Sequence, residues 1–253
     1  MRRITGALLV LAAAAAMAGC TSGEPKRTAP PAGPVPGAGC PNAVASGHAI
    51  RFGTNGATNL GGVVFGTGKT GVVLAHQSDG DLCQWTTYAH ELADKGYRVL
   101  AFDFASYGSS TGVEGLDVSV RNAVQALRGQ GVDRVVLMGA SMGGTAVVAA
   151  AATIVPPVTA VISLSAPGLH AGVDADEGAR HLGVPVLYAA CRSDVEFAES
   201  TKRLDAETPA ATRHTLVVEE CSGHGVDLLT NGGAAYDHMR ATVTDFLRAQ
   251  APA

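Results

Sequence analysis

The sequence predicts an α/β chain: one doubly wound, mostly parallel sheet of eight strands, with helices on both faces and no large lid. Three observations carry that prediction. Strand-like and helix-like segments alternate from His48 to the C-terminal end. Several strand candidates are unbroken apolar runs, such as Val72-Val73-Leu74-Ala75 and Val135-Val136-Leu137-Met138, which suit strands buried on both faces. Between them run helical stripes: Leu116, Val120, Val124 and Leu127, then Tyr236, Met239, Val243, Phe246 and Leu247.

Composition narrows the classes further. With 253 residues, 47% hydrophobic and only 16% charged, the chain is not disordered and can bury one large core. Thirty-two glycines and 5% aromatics point to close strand–helix packing by small side chains. The formal charge is −4, and −6 without Arg2 and Arg3, so no basic face for nucleic acid is expected.

Residues 1–19 read as an export signal, with Arg2 and Arg3 as the positive start and Ile4 to Ala18 as the apolar stretch, too short to span a bilayer. Met17-Ala18-Gly19-Cys20 resembles a bacterial lipobox, which would make Cys20 the acylated first residue of a protein anchored on the outer side of the cell membrane. Ala16-Met17-Ala18 also fits an ordinary cleavage site, which would give a secreted protein. Cysteine parity favours the lipid, because removing Cys20 from five cysteines leaves an even four. Residues 20–46 contain six of the twelve prolines and read as an extended tether, and residues 47–250 as the folded domain.

The expected strands are Ala49–Phe52, Gly62–Phe65, Val72–Ala75, Arg98–Phe102, Arg134–Met138, Thr159–Leu164, Pro185–Ala190 and Thr215–Glu219. No helix separates the first three, so the leading edge should be antiparallel. Gly66-Thr67-Gly68-Lys69-Thr70-Gly71 matches a dinucleotide-binding pattern, but a strand follows it instead of a helix, and it reads as a hairpin turn. Neither paired C-x-x-C nor H-E-x-x-H occurs, and no metal or other cofactor is expected.

Gly139-Ala140-Ser141-Met142-Gly143 matches G-x-S-x-G, in which a serine sits on a sharp strand-to-helix turn that only small neighbours allow. Gly108-Ser109-Ser110-Thr111-Gly112 matches too, but no helix follows directly, so Ser110 reads as ordinary loop. Ser141 needs a base to take its proton. His214, His224 and His238 lie late enough, and His224, in the loop after the last strand, is favoured over a structural histidine. Asp194, just past the preceding strand, would hold the imidazole; the competing use is a helix N-cap, and Glu196 is the reserve acid. Oxyanion donors would be the N–H of Met142 and that of Gln77 or Ser78, with His76 packed to order their loop. Cys191 and Cys221 each stand three residues ahead of the acid and the base. A bridge between them would tie those loops together and leave Cys40 for Cys83; buried free thiols are the competing reading.

These motifs, with the proline-led strand ending in Asp194, Gly223-His224-Gly225 and Phe102-Asp103-Phe104 before Tyr107-Gly108-Ser109-Ser110, resemble the α/β-hydrolase superfamily over about residues 49–247. The likeness is to its small, lidless dienelactone-hydrolase-like and esterase-like members. It implies hydrolysis of acyl esters through Ser141, His224 and Asp194. Many members carry His-Gly where this chain has His76-Gln77, and glycine at the place of Cys191. Only 19 residues separate Leu164 from Val184, too few for a large cap, so an open site for small or surface-presented acyl groups is expected. Acyl transfer in the cell envelope, or a non-catalytic binding role on the same scaffold, are the other functions considered.

Overall fold

The computed structural model describes residues 31–53, 56 and 58–253; the expected export signal and Cys20 lie outside them. Among the described residues, eight strands run across the main sheet: β1 (His48–Phe52), β2 (Thr58–Phe65), β3 (Thr70–Ala75), β4 (Arg98–Phe102), β5 (Arg134–Ala140), β6 (Ala160–Leu164), β7 (Val186–Cys191) and β8 (His214–Glu219), and the two-residue strand Thr111–Gly112 pairs with β2. Their spatial order is β1-β2-β4-β3-β5-β6-β7-β8. The β1–β2 and β2–β4 pairs are antiparallel, and every other neighbouring pair is parallel. The helices are α1 (Thr86–Asp94), α2 (Leu116–Arg128), α3 (Met142–Ala151), α4 (Ala175–Arg180), α5 (Val195–Glu207), α6 (Asp227–Thr230) and α7 (Ala234–Gln250).

Side-chain alternation along β3 shows why the sheet is covered twice. Val73 and Ala75 join a core with α2, α3 and α4, while Val72 and Leu74 join another with α1, α6 and α7; none of the four is exposed. α3 is buried almost throughout because it lies between the sheet and its helical neighbours, which explains its run of Gly, Ala and Val.

Gly66–Lys69 is not a hairpin turn, because β4 lies between β2 and β3. β3 is apolar on both faces and takes parallel neighbours on both edges, β4 and β5, which displaces β2 outward. β2 also begins earlier than expected, at Thr58, with Thr58 and Asn59 pairing the two-residue strand Thr111–Gly112. Gly61 and Gly62 weaken the strand signal there, yet they are needed for close approach: a Cβ on Gly61 would lie 2.0 Å from Ser109 Oγ.

The described part of the Pro-rich stretch is folded against the domain instead of standing extended. The Arg51 guanidinium donates to the carbonyls of Gly33 and Pro34, and Thr111 Oγ1 donates to that of Pro31 at 2.6 Å. Pro36 is buried, and a disulfide joins Cys40 to Cys83, 5.9 Å apart at Cα, in the short 3-10 turn ahead of α1. Composition disfavours self-burial, but it does not prevent docking on a preformed surface that supplies hydrogen-bond donors.

Between β6 and β7 the chain makes only a small hairpin (Leu169–His170 with Val173–Asp174) and the six-residue α4. The rim of the sheet is therefore left open above β5, β6 and β7.

Candidate active site

Ser141 stands between β5 and α3 with φ 50° and ψ −118°, a conformation that non-glycine residues rarely adopt. Its N–H donates to Leu164 O at 2.8 Å, which helps to hold the turn. Crowding on both sides accounts for the flanking glycines. A Cβ on Gly139 would lie 2.2 Å from Gly143 O, and one on Gly143 would lie 2.2 Å from Ala75 O. Both obstacles are backbone and cannot swing aside. Gly143→Ala is therefore expected to destabilise the fold by about 3 kcal/mol, read from the urea unfolding midpoint. Ser110, the other G-x-S-x-G serine, is structural: its Oγ donates to Asp103 O and accepts from the Gly61 N–H.

Asp194 occupies the N-cap position of α5, but its side chain makes no capping bond. Its Oδ2 instead accepts from His224 Nδ1 at 2.6 Å. A carboxylate can only accept, so the neutral imidazole carries its proton on Nδ1 and leaves Nε2 as a free acceptor. The pair is partly shielded, with 17% of the Asp194 side chain and 31% of the His224 side chain exposed. The Phe197 ring packs edge-on against the imidazole, 4.3 Å between centroids. Glu196 points to solvent on the first turn of α5.

The loops bearing acid and base are joined covalently. Cys191 and Cys221 form a disulfide with 4.8 Å between Cα atoms, and Ser193 Oγ adds a hydrogen bond to Cys221 O at 2.7 Å. Replacing both cysteines by Ala is expected to cost about 3–4 kcal/mol for a 30-residue loop, measured by thermal or urea unfolding. Without the bridge the two loops are also expected to move more independently, so any turnover should fall along with stability. The same change at Cys40 and Cys83 should lower stability alone.

Ser141 Oγ and the His224 imidazole are not hydrogen-bonded in this structure, but their segments adjoin. A Cβ on Gly225 would lie 3.2 Å from Ala140 Cβ, which puts the residue after the histidine against the residue before the serine. Met142 opens α3, where first-turn N–H groups point outward. Of the two loop donors considered, the Gln77 N–H is already given to Gln84 Oε1 at 3.1 Å. His76 is fully buried, and burial lowers its pKa. Its Nε2 accepts from the Phe104 N–H at 3.1 Å, so Nδ1 carries the proton that is donated to Gln77 O at 2.6 Å. This neutral imidazole ties the loop after β3 to the loop after β4, as its packed reading required. The other late histidines are engaged elsewhere: His214 with Asp205 and His238 with Glu219.

The side chains of Gln77, Gln84, Asp79 and Phe197 also touch this region, and no motif in the sequence marks them. The only signal was Gln77 itself, a long polar side chain in a tight loop.

The strand order, the crossovers and the serine turn together define an α/β-hydrolase fold. Residues 72–188 match the family model described as the alpha/beta hydrolase fold. Among solved structures the chain is similar to an esterase of Pyrococcus furiosus, with a TM-score of 0.71 and 16% identity over 88% of this chain and 99% of that one. It is also similar to a dienelactone hydrolase of Anabaena variabilis (TM-score 0.65, 18% identity, 81% and 97% covered). An esterase of a Rhodococcus species is similar to much the same degree (TM-score 0.63, 18% identity, 81% and 99% covered). At these identities the likeness is one of fold. No curated protein matches the chain in sequence.

Proposed function

We propose that the chain is a serine hydrolase of carboxylic esters. The observation that carries this reading is the 2.6 Å Asp194–His224 bond, which fixes the tautomer beside a serine held at φ 50°. Ser141 Oγ attacks the ester carbonyl while His224 Nε2 takes its proton. The N–H groups of Met142 and Ser78 receive the developing oxyanion, the Gln77 N–H being occupied. His224 then protonates the departing alcohol, and water, activated by the same nitrogen, releases the acid from Ser141. Serine–histidine contacts commonly tighten only when substrate excludes water, so the unmade bond in the free protein is compatible with this sequence of steps. The esterases and dienelactone hydrolase of similar fold support the reaction class.

Fluorophosphonate labelling tests the reading, with peptide mapping of the modified site. Label on Ser141, and hydrolysis of nitrophenyl esters without new ester products in added alcohol, is the expected result. New esters would assign an acyltransferase, and absence of both label and turnover would leave a binding protein.

We infer further that the protein is exported and held by a lipid on Cys20, so that it acts on small or membrane-presented acyl groups. The two disulfides fit an oxidising compartment. The docked arm also leaves the domain on the Ser141 side of the sheet. Thr111, which bonds Pro31, pairs with Asn59, beyond the Gly62–Phe102 pair at the strand ends. The ten residues 21–30 reach at most about 35 Å, which keeps that rim near the anchor point. Cys20→Ser is expected to move the protein from the membrane pellet to the soluble fraction; an unchanged distribution would refute the lipid anchor.

A further inference from the structure

We propose that Gln77 is a positioning residue whose carboxamide clamps the His224 loop onto the loop after β3, giving base and oxyanion donor one fixed frame. This role rests on the serine-hydrolase reading and adds to it a side chain that touches none of the reacting atoms.

Gln77 Oε1 accepts the Val226 N–H at 2.7 Å, across 149 residues of sequence. Gly225, at φ 57°, lies directly on the carboxamide: a Cβ there would sit 1.9 Å from Gln77 Oε1. The same Cβ would lie 3.2 Å from Ala140 Cβ, so the backbone next to His224 packs closely on both Gln77 and Ala140. A side chain at this position would have to displace the Gln77 carboxamide, and the positive φ also favours glycine.

The orientation of the carboxamide is set from behind. Gln77 Nε2 donates to Asp79 Oδ1 at 3.2 Å, and Gln84 Nε2 donates to the same oxygen at 3.0 Å. Gln84 Oε1 closes the ring by accepting the Gln77 N–H. Flipping the Gln77 amide would face Nε2 to an N–H and Oε1 to a carboxylate, so two attractive contacts would become repulsive. The Gln84 and Gln77 amides hold the Asp79 carboxyl below its usual range, with a smaller contribution from His224. A carboxyl held below its usual range is ionised at neutral pH, where it can only accept, and this keeps the clamp in one state. The Ser78 N–H lies between Gln77 and Asp79 in the chain, so the clamp that holds the base loop also holds the loop bearing the candidate oxyanion donor.

A double-mutant cycle on the full chain tests this. Gln77→Leu removes the acceptor. Val226→Pro removes the donor at a position whose φ of −62° suits proline. With a soluble nitrophenyl acetate substrate, each single change is expected to lower kcat about tenfold or more with KM within about twofold, the signature of misplacement rather than lost binding. The pair together should cost clearly less than the sum of the two single losses, because the two changes share this contact, although Val226→Pro also replaces a buried side chain. Amide exchange over residues 222–228 should quicken in Gln77→Leu, a readout independent of turnover. Additive losses, a change in KM alone, or unchanged exchange would overturn the clamp. Failure of the unmodified protein to take fluorophosphonate would instead overturn the hydrolase reading, while exchange would still decide whether Gln77 holds the loop.

Discussion

Ser141→Ala is expected to lower ester turnover by about 10⁴-fold or more while leaving the fold intact. The hydroxyl is the only atom removed, and Ser141 donates no side-chain bond that the elbow needs; the turn is held by the Ser141 N–H to Leu164 O and by the neighbouring glycines. Alanine keeps a Cβ and so occupies the same strained backbone with no new contact. The measurement is kcat/KM for a nitrophenyl ester, beside a thermal melt that should match the unmodified protein. Residual hydrolysis within tenfold of the starting rate would mean that the reacting hydroxyl lies elsewhere, Ser110 being excluded by its two buried hydrogen bonds.

Asp194→Asn is expected to cost nearly as much, about 10³–10⁴-fold in kcat, with little change in stability. Asparagine fits the same space, but its amide nitrogen donates. A donor facing His224 Nδ1 forces the imidazole proton onto Nε2, where it blocks uptake of the serine proton. The imidazolium formed during attack would also lose its compensating charge. Stability is spared because Asp194, although at the N-cap of α5, makes no capping bond that could be lost. Asp194→Ala separates the two effects, since it removes the wrong donor as well as the right acceptor and should retain somewhat more activity than the amide. A loss below tenfold in both variants would transfer the acid role, with Glu196 in the first turn of α5 as the reserve.

Strands carried their own evidence where they are buried on both faces. Val72–Ala75 and Val135–Met138 were legible because a strand with no solvent side has no polar alternation to keep. β2 was half-hidden, since the glycines that let Ser109 and Leu100 approach also erase the strand signal. The docked arm was illegible for a similar reason: Arg51 and Thr111, which hold it, are distant in sequence and give no local sign of what they bind. Cys191 with Cys221 was legible because each cysteine stands at the same offset from a candidate functional residue.

By itself the sequence determined the class of fold and nominated three side chains for acyl chemistry. Burial periodicity, a glycine-flanked serine and the chain order of serine, acid and histidine are all written in local residue types. Only the tertiary structure decided that β4 separates β2 from β3, that Asp194 turns from its helix to His224, and that Gln77 reaches Val226. Those outcomes depend on pairings across 30 to 149 residues. Such contacts are chosen by what the assembled sheet brings within hydrogen-bonding distance, and no propensity of a short segment encodes them.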